Sequence, residues 1–166
     1  MIINHDTLAS ESTTNPADSS CALCTQKGGE LVWTDEVIRV VAVDDPLLPG
    51  YTRVIWNSHV REMSDLSPAS QQAVMQAVFC VEQTQRTHLR PDKINLASLG
   101  NMTPHLHWHI IPRWKDDPWF PDSIWEPQTD DCEVAQAWET RARMIAAEVP
   151  DYLDALKAAL EEQRIS

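Results

Sequence analysis

Basic residues are scarce in this chain. Its 166 residues include 13 Lys and Arg against 25 Asp and Glu, a formal net charge of -12. Nonspecific nucleic-acid binding draws on a basic face, so no nucleic-acid partner is expected. A small anion held by imidazoles and backbone N–H groups remains compatible with an acidic protein. Long apolar runs are missing as well. A membrane helix needs about 20 apolar residues, and no stretch approaches that, so no membrane partner is expected. Met1-Ile2-Ile3-Asn4-His5-Asp6 has no basic region leading into an apolar one; no signal peptide is expected, and the location is read as cytoplasmic. Cysteine is confined to Cys21, Cys24, Cys80 and Cys132, which without a secretion signal argues against a disulfide framework. No internal repeat or linker divides the chain.

What is present suits a folded domain. The chain is 43% hydrophobic and 23% charged, and its length suffices for one domain with a real core. Residues 1–19 read as a polar arm rich in Ser, Thr, Asn and Asp. Cys21 to Gly29 reads as a loop or knuckle. Leu31-Val32-Trp33, Ile38 to Val43, and Tyr51 to Asn57 read as strands, with Val54 and Trp56 on one face of the last and Arg53 and Ile55 on the other. Ser67-Pro68 is a helix start, Ser as N-cap and Pro in the first position. That helix runs to about His88, with Ala73, Val74, Ala77, Val78 and Val81 at core spacing, and Cys80 reads as a small buried hydrophobe. Lys93 to Leu99 is another strand, Gly100 to Pro104 a turn. Residues 116–166 comprise a Trp- and Pro-rich segment, an ordered loop over a cleft or a partner contact, and helices over Glu133–Glu148 and Asp151–Gln163. Short connections favour antiparallel pairing. The fold class is therefore α+β: a single antiparallel sheet of about five strands, one long helix packed on it, and C-terminal helices.

The most informative stretch is His105-Leu106-His107-Trp108-His109-Ile110-Ile111. Its β-branched and aromatic content favours a strand. Strand side chains alternate between faces, so His105, His107 and His109 share one face, and Leu106, Trp108 and Ile110 share the other, the core. Same-face positions lie roughly 7 Å apart. Three imidazoles in such a row can line a cleft and share one small substrate group. That pattern points to phosphate and nucleophilic chemistry or to metal binding. A metal-dependent enzyme built on His-x-His strands is one alternative, a non-catalytic nucleotide-binding module another. A cupin would also need a Glu shortly after the pair, and none lies between Trp108 and Trp114.

The alternating stretch resembles the signature of the histidine triad family. Val54-Ile55-Trp56-Asn57-Ser58-His59-Val60, followed by Asp65-Leu66-Ser67-Pro68, is similar to that family's strand, upstream histidine and long helix. The resemblance covers residues 20–115 and is nearest the bacterial diadenosine tetraphosphate hydrolase-like subgroup. It implies a hydrolase or nucleotidyl transferase acting at the α-phosphate of a dinucleoside polyphosphate or phosphoramidate. In that reading His107 is the nucleophile and forms a nucleotidyl-histidine intermediate. The backbone carbonyl of His105 fixes its tautomer, and His109 binds phosphate oxygens. His59, Asn95, Ser98, Gly100, Asn101 and Arg113 are the substrate-binding candidates, and a homodimer is implied.

Cys21-Ala22-Leu23-Cys24 is a lone C-x-x-C, compatible with a redox motif, half a zinc site or chance. No helix start or βαβ pattern follows Cys24, which disfavours thioredoxin-like chemistry. A four-coordinate structural zinc needs two further N or S ligands. The resemblance places His59 and His105 together, so Cys21, Cys24, His59 and His105 are the candidate ligands. Catalysis by an imidazole nucleophile needs no cofactor of its own.

Overall fold

β-branched runs build the framework, because their side chains pack well on a pleated surface. The computed structural model describes residues 18–165, and residues 1–17 of the polar arm lie outside the described residues. Five strands are present: β1 Glu30–Thr34, β2 Ile38–Ala42, β3 Thr52–Trp56, β4 Lys93–Ala97 and β5 His107–Arg113. They form one antiparallel sheet in the order β1-β2-β3-β5-β4. The crossover from β3 to the β4–β5 pair is made by the long helix. The helices are α1 Ala22–Thr25, α2 Pro68–His88, α3 Cys132–Ala146 and α4 Val149–Ile165, with a 3-10 turn at Met63–Asp65. Among the described residues, no helix is long and apolar enough to cross a membrane.

Helix α2 begins where the Ser67 side chain accepts from the Ser70 N–H at 3.2 Å, with Pro68 in the first turn. Its apolar face, Ala73, Val74, Ala77, Val78 and Val81, packs on the sheet face formed by Ile38, Val40, Val54, Trp56 and Ile110. Gln85, fully buried, donates from Nε2 to the carbonyls of Gly50 at 2.9 Å and Ile110 at 3.0 Å, tying the helix to the turn before β3 and to the middle of β5. The C-terminal helices extend the same core through Trp138, Ala142, Tyr152, Leu156 and Leu160. The Tyr152 and Thr52 hydroxyls meet at 2.8 Å.

The opposite sheet face carries the site. Cys21 and Leu23 cover Val41 and Ile55 there, and Leu48, Tyr51, Ile111 and Trp119 form a second small cluster. The Trp- and Pro-rich segment is thus an ordered covering for this face. It is anchored by Arg113, whose guanidinium makes a bidentate pair with Asp117 at 2.6 and 2.8 Å in side chains 2% and 1% exposed.

Three local expectations are corrected. Strand β5 starts at His107, not His105, because the His105 N–H bonds to the Thr103 carbonyl and the Leu106 N–H to Val60 instead of joining the β5 ladder. Strand β4 stops at Ala97, leaving Ser98 and Leu99 in the following loop. The knuckle after Cys21 contains a helical turn, with the Cys24 and Thr25 N–H groups closing on the Cys21 carbonyl.

Candidate active site and metal centre

Strand β5 brings two of the three triad imidazoles to one cleft. His107 and His109 line a cavity of about 660 Å3 together with the knuckle residues Leu23, Gly28 and Gly29, the loop residues Gly100 and Asn101, and Arg53 and Trp125. His105 does not line it. Its ring is turned toward the cysteine pair.

His107 is held by its own neighbour. Its Nδ1 lies 2.5 Å from the His105 carbonyl oxygen. A carbonyl only accepts, so Nδ1 carries the proton and Nε2 keeps its lone pair. Ser98 donates its hydroxyl to the His107 carbonyl at 3.0 Å, steadying the same stretch of backbone. Burial holds His107 below the ordinary histidine value, against the His105 hydrogen bond, which favours the proton. The ring is therefore neutral at pH 7, the form in which an imidazole is nucleophilic.

His109 stands edge-on to His107, ring centroids 4.7 Å apart. Its Nδ1 hydrogen-bonds the Tyr51 hydroxyl. That oxygen also accepts from Arg53 Nε at 3.4 Å, and its own proton is free to be donated to His109. Nδ1 is then the acceptor, and Nε2–H is the donor left for a ligand. Burial, with the nearby His107 and the Arg53 charge, pushes His109 down to about 3.

Behind the cleft lies a second cluster. Ligand atoms of Cys21, Cys24, His59 and His105 all fall within 4.8 Å of one another. Cys24 Sγ is 3.3 Å from His59 Nδ1, and the Cys21 and Cys24 sulfurs are each 3.5 Å from His105 Nδ1. A tetrahedral zinc with bonds of about 2.3 Å to sulfur and about 2.05 Å to nitrogen has S···N edges of about 3.5 Å. The cluster matches that spacing. His105 Nε2 donates to the Trp56 carbonyl at 2.7 Å, leaving Nδ1 unprotonated toward the sulfurs. This is the outer hydrogen bond that orients a metal-ligating histidine. The residues present therefore fit zinc.

The remaining sequence candidates divide. Gly100 and Asn101 line the cleft. His59 belongs to the metal cluster, and Ser98 supports backbone. Asn95 and Arg113 are not in the cleft: Arg113 donates to Asn95 at 2.9 Å and to the Asp122 carbonyl at 2.9 Å besides gripping Asp117, so its guanidinium is committed within the fold. Tyr51, Arg53 and Trp125 were missed by reading the sequence. Trp125 is half exposed, its ring 5.4 Å from that of His109. Alternation sets Arg53 on the same strand face as Ile55, but only the strand register, which sets it opposite His109, reveals its place.

An open antiparallel sheet presenting two neutral imidazoles to a cleft, over a Cys2His2 cluster, defines the class. The family model described as HIT domain matches residues 25–116, and the chain belongs to that family. It is 30% identical over 97 residues to Uncharacterized HIT-like protein SSO2163 of Saccharolobus solfataricus, an alignment covering 54% of this chain and 68% of that protein. It is also 30% identical over 76 residues to Bis(5'-adenosyl)-triphosphatase of Saccharomyces cerevisiae, spanning 42% of this chain and only 37% of the yeast protein. The fold matches the crystal structure of a histidine triad protein from Marinobacter aquaeolei VT8 with a TM-score of 0.59 at 22% identity, covering 81% of this chain and 99% of that one.

Proposed function

We propose that the protein is a nucleotide hydrolase or nucleotidyl transferase that attacks the α-phosphate of a dinucleoside polyphosphate or phosphoramidate through His107. The observation that carries this reading is the Nδ1–H to His105 carbonyl bond, which directs a lone pair on Nε2 to a neutral ring lining the cleft. In the first step Nε2 forms a bond to the α-phosphorus, and the leaving group departs with the electron pair of its P–O or P–N bond, a departing amine taking up a proton from solvent. In the second step a water, or another acceptor, attacks the same phosphorus. Its proton is lost to solvent, and the P–N bond returns its electrons to His107. His109 offers Nε2–H to a phosphate oxygen. Asn101 and the Gly100 backbone, at the cleft rim, suit phosphate or ribose contacts. The family membership and the yeast triphosphatase relative support the substrate class.

Zinc, when bound at Cys21, Cys24, His59 and His105, supplies structural cross-linking and no catalytic step. The same reading carries a homodimer and a cytoplasmic location, to be checked by sedimentation and by fractionation. The deciding experiment is AMP release from diadenosine polyphosphates and an adenosine phosphoramidate, with mass-spectrometric trapping of an adenylylated His107. Equal release by wild type and His107→Ala would defeat the proposal, and tight nucleotide binding without turnover would leave a binding module.

A further inference from the structure

Among the described residues, one side chain with a fixed positive charge lines the cleft. Of the residues around it, Arg53 is the sole Lys or Arg. His107 and His109 line the same cleft as Arg53. The protein as a whole is at -12. A phosphate displacement accumulates negative charge on the oxygens around phosphorus, and stabilising that charge is commonly the largest part of catalysis.

Arg53 is placed to do this. It sits on β3 directly across from His109, and Ile55 occupies the same relation to His107. Its guanidinium is packed over the Tyr51 ring at 5.3 Å. Arginine carries five N–H donors. Among the described residues, Nε is used on the Tyr51 hydroxyl at 3.4 Å and Nη1 on the Gly28 carbonyl at 3.1 Å. Among the described residues the remaining donors have no partner, and no carboxylate pairs with the group. The two neighbouring strand arginines differ. Arg113 is closed around Asp117, and Arg39 donates to the Lys27 and Leu23 carbonyls and to Asn57. Gly28 makes the approach possible: at φ +85 a Cβ there would meet Ile55 Cδ1 at 2.8 Å, and its carbonyl is the anchor for Nη1.

We propose that Arg53 is a substrate-binding residue that holds the reacting phosphate between His107 and His109 and neutralises the charge formed there during displacement. The inference rests on the nucleotide-phosphate reading of the cleft. It distinguishes Arg53 from a contact to a polyphosphate tail, because Arg53 stands opposite His109 on the paired strand and lines the same cavity as both imidazoles.

The test uses the full chain as wild type, Arg53→Gln and Arg53→Lys. Gln keeps a donor for the Gly28 carbonyl and loses the charge; Lys keeps the charge. Two substrates share the adenylyl group, diadenosine tetraphosphate and an adenosine phosphoramidate with an uncharged leaving group. Arg53→Gln should lower kcat on both by about a hundredfold, the scale for removing one charge-stabilising donor, and Arg53→Lys should recover much of it. Wild-type kcat in Arg53→Gln, equal losses in Gln and Lys, or a loss confined to KM for the polyphosphate would each overturn the proposal. If wild type turns over neither substrate, the hydrolase reading fails separately. Arg53 is then judged by calorimetric binding of AMP, where affinity unchanged in Arg53→Gln overturns it and a tenfold or greater loss sustains it. Melting curves confirm folding, and Arg53→Met replaces any variant that does not fold.

Discussion

The carbonyl oxygen of His105 accepts from Nδ1 of His107 at 2.5 Å, while the His105 ring faces Cys21 and Cys24. One residue thus touches both centres: its backbone sets the tautomer of the proposed nucleophile, and its side chain belongs to the cysteine–histidine cluster.

Removing the nucleophile is the first prediction. His107→Ala should reduce AMP release by at least about 10^4-fold, the scale of deleting a covalent nucleophile, and abolish the adenylylated peptide. Steady-state rates and mass spectrometry read both. Full-strength turnover without an adduct would contradict it.

Tyr51→Phe removes the hydroxyl that fixes His109. Losing an outer hydrogen bond of this kind should cost about 10-fold to 100-fold in activity, mainly in kcat, with the melting temperature little changed. A variant with unaltered kcat would show that the tautomer of His109 does not matter.

The charge state of His109 predicts a pH effect. Its folded value is about 3 against an ordinary 6.5. Between those values the unfolded chain takes up a proton that the folded chain refuses. The His109 contribution to stability is therefore fully present above 6.5 and lost as pH falls toward 3. Nitrogen-15 spectra of the ring should show it neutral at pH 5, and urea midpoints should be lower at pH 5 than at pH 7.5. A ring that titrates near 6.5 would refute this.

Metal removal separates structure from chemistry. Wild type should carry one zinc per chain by native mass spectrometry, and Cys24→Ser should lose it. Chelation should lower the melting temperature by about 5 °C or more, the shift that about 2 kcal/mol produces in a chain of this size. AMP release should persist at a temperature where the chelated protein is folded. Activity that disappears with zinc and returns with it would point to a metal-dependent reaction instead.

Arg113→Met leaves Asp117 buried and uncompensated, with only the Trp114 and Trp119 N–H groups to hold it. Breaking a buried pair from one side costs about 3–5 kcal/mol, to be measured by urea unfolding. A loss below 1 kcal/mol would mean the Trp-rich covering is not anchored there.

Local pattern made much of this legible. The helix start at Ser67-Pro68 depends on a cap and a restricted φ, both properties of adjacent residues, and α2 begins there. The alternation in β3 sorted Val54 and Trp56 from Arg53 and Ile55, and the structure buries the first pair under α2 and packs Ile55 with Cys21 on the other face. The same alternation puts Leu106, Trp108 and Ile110 in the core, although the strand itself begins only at His107. The resemblance gave Arg113 to the substrate, since a sequence shows a charge but not the carboxylate that closes on it.

By itself the sequence determined the elements, their buried faces, the histidine row and the lone cysteine pair, because each depends on residues a few positions apart. Tertiary structure alone decided the partners. Cys24 meets His59 across 35 positions and His105 across 81, and β3 sets Arg53 against His109 across a strand pair formed only once α2 has crossed over. Those distances are set by the summed packing of two sheet faces, which no short window of residues contains.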